Sequence, residues 1–76
     1  MTNKEANSML VDFRNNGYTI KHGYACYQDD NIGTTDLIKL GYNAGVYGWN
    51  WTMYMHPTTK TIYISDHRNL PREAHN

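Results

Sequence analysis

The sequence predicts an α+β domain: an N-terminal helix packed on a small antiparallel sheet of about three strands, with a short second helix and a C-terminal β-hairpin. Three observations carry this. Apolar residues near the N-terminus recur at helical spacing behind a capping sequence. Residues 47–56 alternate with a period of two. A second alternating run, residues 61–66, follows a proline turn with its apolar face in step with the first. The 76-residue length allows one domain. We read residues 1–70 as that domain and 71–76 as a flexible tail, because Pro71 opens a polar run.

The first element is "TNKEANSMLVDFRNNG". Thr2 and Glu5 have capping-box spacing, with Thr2 as N-cap. Ala6, Met9, Leu10 and Phe13 fall on one helical face. Gly17 suits the left-handed position just past the helix end. Next, "YTIKHGYACYQ" (Tyr18–Gln28) reads as a strand, with Tyr18, Ile20, His22, Tyr24 and Cys26 on one side and Gly23 as a bulge point. "QDDNIGTTD" is a polar connection. Thr34 or Thr35 then caps a short helix through Leu37, Ile38 and Leu40, ended by Gly41.

The stretch "GVYGWNWTMYMH" (Gly45–His56) puts Tyr47, Trp49, Trp51, Met53 and Met55 on one face of a strand and Asn50, Thr52, Tyr54 and His56 on the other. "HPTTK" turns the chain, and "TIYISD" returns. With His56 opposite Thr61, Met55 faces Ile62 and Met53 faces Ile64 on one side. Tyr54 faces Tyr63 on the other, flanked by Thr52 and Ser65. A slip of one residue would destroy that agreement.

Composition excludes several classes. Seven Lys plus Arg balance seven Asp plus Glu, which argues against a general nucleic-acid binder and against an acidic nucleic-acid mimic. The single cysteine, Cys26, rules out an intramolecular disulfide and points to a reducing, cytoplasmic setting. "MTNKEANSML" has no apolar core of a signal peptide, and no run reaches the ~20 apolar residues of a membrane span.

Catalytic and metal chemistry finds little support. His22 and Cys26 lie four apart on a strand, about 13 Å, too far for two ligands of one zinc ion. Nothing local activates Cys26 as a nucleophile. Asp66-His67-Arg68 ends a strand but lacks a partner nucleophile. A domain this small rarely encloses the ~300 Å³ or more of a ligand pocket. Gly41, Gly45 and Gly48 lack the helix and Lys of a phosphate loop. The expectation is therefore a protein that is not an enzyme and has no cofactor or metal, with a small hydrolase, which would need Asp66, His67 and Cys26 gathered in a cleft, as the third reading.

Two binding readings remain. A single-stranded nucleic acid could stack on Tyr54, Tyr63 and Tyr27, with Lys21, Lys60 and Arg68 as a basic rim. The balanced charge makes this the alternative. The leading reading starts from a surplus of ring surface. Trp51, Met53, Met55 and part of Trp49 can pack under the helix, but each buried aromatic needs about 150–250 Å² of cover. One helix shelters only the middle of such a strand, so some aromatic surface spills over near Tyr47 and Trp49. Such a patch is a protein-binding hot spot, or closes a homodimer. The expected contacts are Tyr47, Trp49, Trp51, Tyr54 and Tyr63, with Asn50, His67 and Arg68 as polar rim.

From Leu40 to Asn69, "LGYNAGVYGWNWTMY…TIYISDHRN" resembles short proteins encoded by phages and mobile elements of low-GC Gram-positive bacteria, in which a "GVYGWN" stretch precedes a terminal hairpin. The resemblance implies a cytoplasmic protein of the host cell without catalytic residues. Some proteins of that setting inhibit host defence systems such as CRISPR nucleases, so it also implies a host defence protein as partner. Because the acidic surface of nucleic-acid mimics is missing here, such inhibition would work by plugging a protein surface or locking a conformation.

Overall fold

The computed structural model describes residues 1–44 and 50–66. Helix α1 (Asn3–Asn15) starts where the capping box places it. The Glu5 N–H donates to Thr2 Oγ1 at 3.1 Å, and the Thr2 N–H donates back to Glu5 Oε1 at 3.0 Å. That returned bond holds the Glu5 carboxyl below its ordinary range. The far end closes by a Schellman motif: Tyr18 N–H to Phe13 O and Gly17 N–H to Arg14 O, both at 3.0 Å. Gly17 takes φ +86, which costs a residue without Cβ little. The Phe13 and Tyr18 rings meet 4.9 Å apart across this stop, the apolar contact that completes the motif.

Four strands follow, in the spatial order β1-β4-β3-β2: β1 (Thr19–Gly23), β2 (Ile38–Ala44), β3 (Asn50–His56) and β4 (Thr61–Asp66). The hairpin β3–β4 has the expected register, with Met55↔Ile62, Met53↔Ile64, Tyr54↔Tyr63 and Thr52↔Ser65. A Pro57 O to Lys60 N–H bond of 3.4 Å closes its turn. The class is α+β, and three finer expectations are corrected.

First, the sheet is mixed: β1 pairs parallel to β4, with Ile20↔Ile62 and His22↔Ile64. Alternation assigns faces, not strand direction, and the same residues point inward either way. Second, β1 ends at Gly23 rather than running to Gln28. Ala25 enters the left-handed region (φ 45), and Cys26–Asp30 forms a 3-10 turn. Third, the expected helix at Thr34–Leu40 is a single 3-10 turn (Thr34–Asp36) followed by β2. A helix of under two turns is marginal alone, whereas β2 gains a whole ladder against β3.

β2 carries a bulge between Lys39 and Gly41. Its effect is to put Ile38, Gly41 and Asn43 on one face and Lys39 and Tyr42 on the other, judged by their partners in β3. Leu40, the bulged residue, packs against the core.

The core lies between α1 and one face of the sheet. Ala6, Trp51, Met53, Ile62 and Ile64 are buried there, with Leu10, Phe13, Ile20 and Met55 half-buried around them. Among the described residues, no helix is long and apolar enough to cross a membrane.

Candidate functional site

The two faces of the sheet are covered differently. On the face away from α1, alternation places Lys21 of β1, Thr61, Tyr63 and Ser65 of β4, Asn50, Thr52, Tyr54 and His56 of β3, and Lys39 and Tyr42 of β2. The Cys26–Asp30 turn folds over the β1–β4 half of this face. Its anchor is the Cys26 thiol, which donates to Ile64 O at 3.6 Å and lies 3.8 Å from Lys21 O.

A three-residue polar latch fixes the other end of the turn. The Tyr63 hydroxyl donates to Asp30 Oδ2 at 2.6 Å, and Lys21 Nζ donates to the same oxygen at 2.6 Å. Lys21 and then Tyr63 hold the Asp30 carboxyl below its usual range. Burial, reinforced by the Asp30 acceptor, pushes the Tyr63 phenol up to about 12. Ser65 Oγ is buried in this half with no hydrogen-bond partner among the described residues.

The β2–β3 half has no such cover among the described residues. Tyr42 is 56% exposed, Lys39 and Asn50 are exposed, and Thr52 and Tyr54 are half-buried. Lys39 Nζ sits 4.9 Å above the Tyr42 ring centroid, a cation–π contact on the open surface. At the border with the covered half, Tyr27 meets Tyr54 edge-on at 5.6 Å. The surface is thus built of phenol rings, an ammonium group, a hydroxyl and an amide.

The residues expected to form the contact patch separate. Tyr54 and Asn50 lie on this open half. Tyr63, directly opposite Tyr54 in the hairpin, is 1% exposed beneath the Cys26–Asp30 turn and cannot touch a partner from there. Trp51 is 6% exposed on the α1 side, where its indole N–H donates to Asn3 Oδ1 at 3.3 Å, so it belongs to the core. Tyr47, Trp49, His67 and Arg68 lie outside the described residues, as does the expected domain boundary near residue 70. Of the expected nucleic-acid platform, Tyr27 and Tyr54 touch while Tyr63 is buried. Lys21 is engaged with Asp30, and Lys60 sits over the Tyr18 ring at 5.7 Å.

Tyr42 and Lys39 escape the sequence reading because it assigns their segment to a helix and turn, where the structure has β2. A signal was present: Ile38, Leu40 and Tyr42 alternate with Lys39, Gly41 and Asn43. The bulge then moves Tyr42 to the opposite face from Ile38, which alternation alone does not show.

Titratable groups elsewhere are dispersed. Burial raises the Cys26 pKa, which favours the thiol over the nucleophilic thiolate. His22 Nε2 lies 3.5 Å from Asp66 Oδ2, and His56 Nδ1 lies 2.8 Å from Thr59 Oγ1. Among the described residues, no three His, Cys, Asp or Glu side chains come together as a metal site. One expectation does need correcting. Small as the domain is, it forms a groove of about 390 Å³ beside α1.

No protein-family model, curated protein or solved structure matches this chain.

Proposed function

We propose that this chain is a non-enzymatic protein-binding module that grips a folded partner with the open half of its sheet. The observation that supports it is the β2–β3 face, left uncovered by the described residues, where Tyr42, Tyr54, Lys39, Asn50 and Thr52 share one surface. Tyrosine gives large, rigid contact area with a polar tip, at the cost of only two side-chain torsions. The balanced formal charge favours a protein surface over a polyanion. From the resemblance of the C-terminal half to phage and mobile-element proteins, some of which inhibit host defence, we infer a host defence protein as the partner, held by occlusion or by locking one conformation.

Tyr42→Ala tests this. Capture of the partner from host lysate should fall at least tenfold, while Tm stays within a few degrees, because the ring supports little of the fold. Undiminished capture would overturn the assignment of this face.

The Lys39–Tyr42 pair beside Tyr54 gives a specific reason to keep the second reading, a single-stranded nucleic acid stacked on the same rings. Fluorescence polarisation of a labelled oligonucleotide at two salt concentrations separates the two. Saturable binding that weakens steeply with salt supports the nucleic acid, and no binding at either salt supports the protein.

A further inference from the structure

A groove of about 390 Å³ runs between α1 and the sheet, on the face opposite the open half. Asn7, Leu10 and Arg14 line its helical wall, spaced three and four apart, so they form one stripe. Ile20, Ile64 and Trp51 line the sheet side. Ala6, Leu10, Ile20, Trp51 and Ile64 give the groove apolar surface, and Asn3, Asn7, Arg14 and His22 place polar groups along it, with Arg14 at one end and His22 at the other.

Those ends differ in charge. A tight turn joins α1 to β1, so the last turn of the helix lies beside the start of β1, and Arg14 stands at that end. The Arg14 guanidinium forms no ion pair with any described residue, whereas Lys21 is paired with Asp30. β4 runs parallel to β1 and carries Asp66 past the other end of β1. There Asp66 pairs with His22, at 3.5 Å. One end of the groove thus holds a cation without an acidic partner among the described residues.

We propose that this groove binds a small amphipathic carboxylate, an aryl- or alkyl-carboxylic acid, with its carboxylate on Arg14 and its apolar body over Ile20, Ile64 and Leu10. At ~30 Å³ per water, the volume holds roughly a dozen waters, and hence an organic acid of about that many heavy atoms. The planar, always-charged guanidinium matches a carboxylate in bidentate geometry, which a neutral head group cannot reproduce. This site is independent of the open sheet face.

The test is a methyl-NMR titration of the full chain with 4-phenylbutanoate, and separately with 4-phenylbutanol. A weak site is expected, with a dissociation constant on the order of 1 mM or tighter. The acid should shift the Ile20, Ile64 and Leu10 methyl signals saturably and bind at least tenfold tighter than the alcohol. Arg14→Gln should erase that preference while leaving the Ile62 methyl, which does not line the groove, unmoved. The proposal is overturned if the acid produces no saturable shift at these methyls or binds no better than the alcohol. It also fails if the preference survives Arg14→Gln.

Discussion

Tyr54 and Tyr63 face each other across the hairpin, and the same substitution in each should have very different consequences. Tyr63 is 1% exposed beneath the Cys26–Asp30 turn. Truncating a fully buried aromatic to alanine costs about 3–5 kcal/mol, the lost transfer energy plus the cavity left behind. A chain of this length holds about 4–11 kcal/mol in total, at roughly 0.05–0.15 kcal/mol per residue. Tyr63→Ala should therefore bring the domain to the edge of unfolding at 25 °C. Tyr54 is half-buried, and its ring contributes a cross-strand contact and an edge-on contact with Tyr27. At about 0.2–1 kcal/mol for the first and 0.5–1.5 for the second, Tyr54→Ala should cost about 1–2 kcal/mol.

Urea unfolding followed by far-UV circular dichroism measures both losses on one scale, provided the m-value is unchanged. The Tyr63 loss should exceed the Tyr54 loss by at least about 1 kcal/mol. Equal losses, or a larger loss at Tyr54, would refute the assignment of one ring to the covered half of the sheet and the other to the open half.

The latch also gives a pH signature. The folded-state pKa of Tyr63 is raised to about 12 from an ordinary 10, so its contribution is complete below about pH 10 and disappears as pH climbs through 12; absorbance at 295 nm should show one phenol ionising together with unfolding. Asp30 has the opposite sign, its folded pKa being lowered, so its contribution holds above the unfolded carboxylate range and is lost in acid; Asp30→Asn should flatten the acid limb of a pH–stability curve. Gly17→Ala places a Cβ at φ +86 and should cost about 1–2 kcal/mol, lowering Tm by roughly 4–16 °C in a differential scanning measurement. Cys26, buried and held as the thiol, should react with a thiol-specific disulfide reagent at least a hundredfold faster in denaturing urea than in buffer.

What the sequence discloses depends on whether a signal is local. The capping box, the Gly17 stop and the hairpin register were all legible, because each is decided by residues close in the chain or by two runs joined through one short turn. The parallel pairing of β1 with β4 was not, because it joins residues about forty positions apart and leaves no local mark. β2 was misread because apolar residues in a short window serve a helix or a strand equally well, and its bulge moves Tyr42 across the sheet. The proposed site is legible only in part for the same reason. The alternation of β3 puts Tyr54 and Asn50 on one face, but the burial of Tyr63 depends on a turn that reaches β4 only in three dimensions.

The open half-sheet reflects how little of the described chain reaches that face. Strands about 4.8 Å apart make a four-stranded sheet some 15–19 Å across. α1 covers the middle of one face. On the other, a five-residue 3-10 turn rising about 2 Å per residue spans roughly 10 Å, or two strands. It lies over β4 and β1, the parallel pair. That choice accords with the general pattern, since parallel strands are found covered on both faces while an antiparallel pair can leave one face in water. The residues on the uncovered pair fit the assignment: Thr52, Asn50 and Lys39 are content in water, and Tyr42 and Tyr54 carry a polar tip on an apolar ring. Among the described residues, no isoleucine or valine lies on it. A face of this chemistry tolerates water and, on the proposed reading, offers rings to a partner, which makes its exposure compatible with the stability of so small a domain.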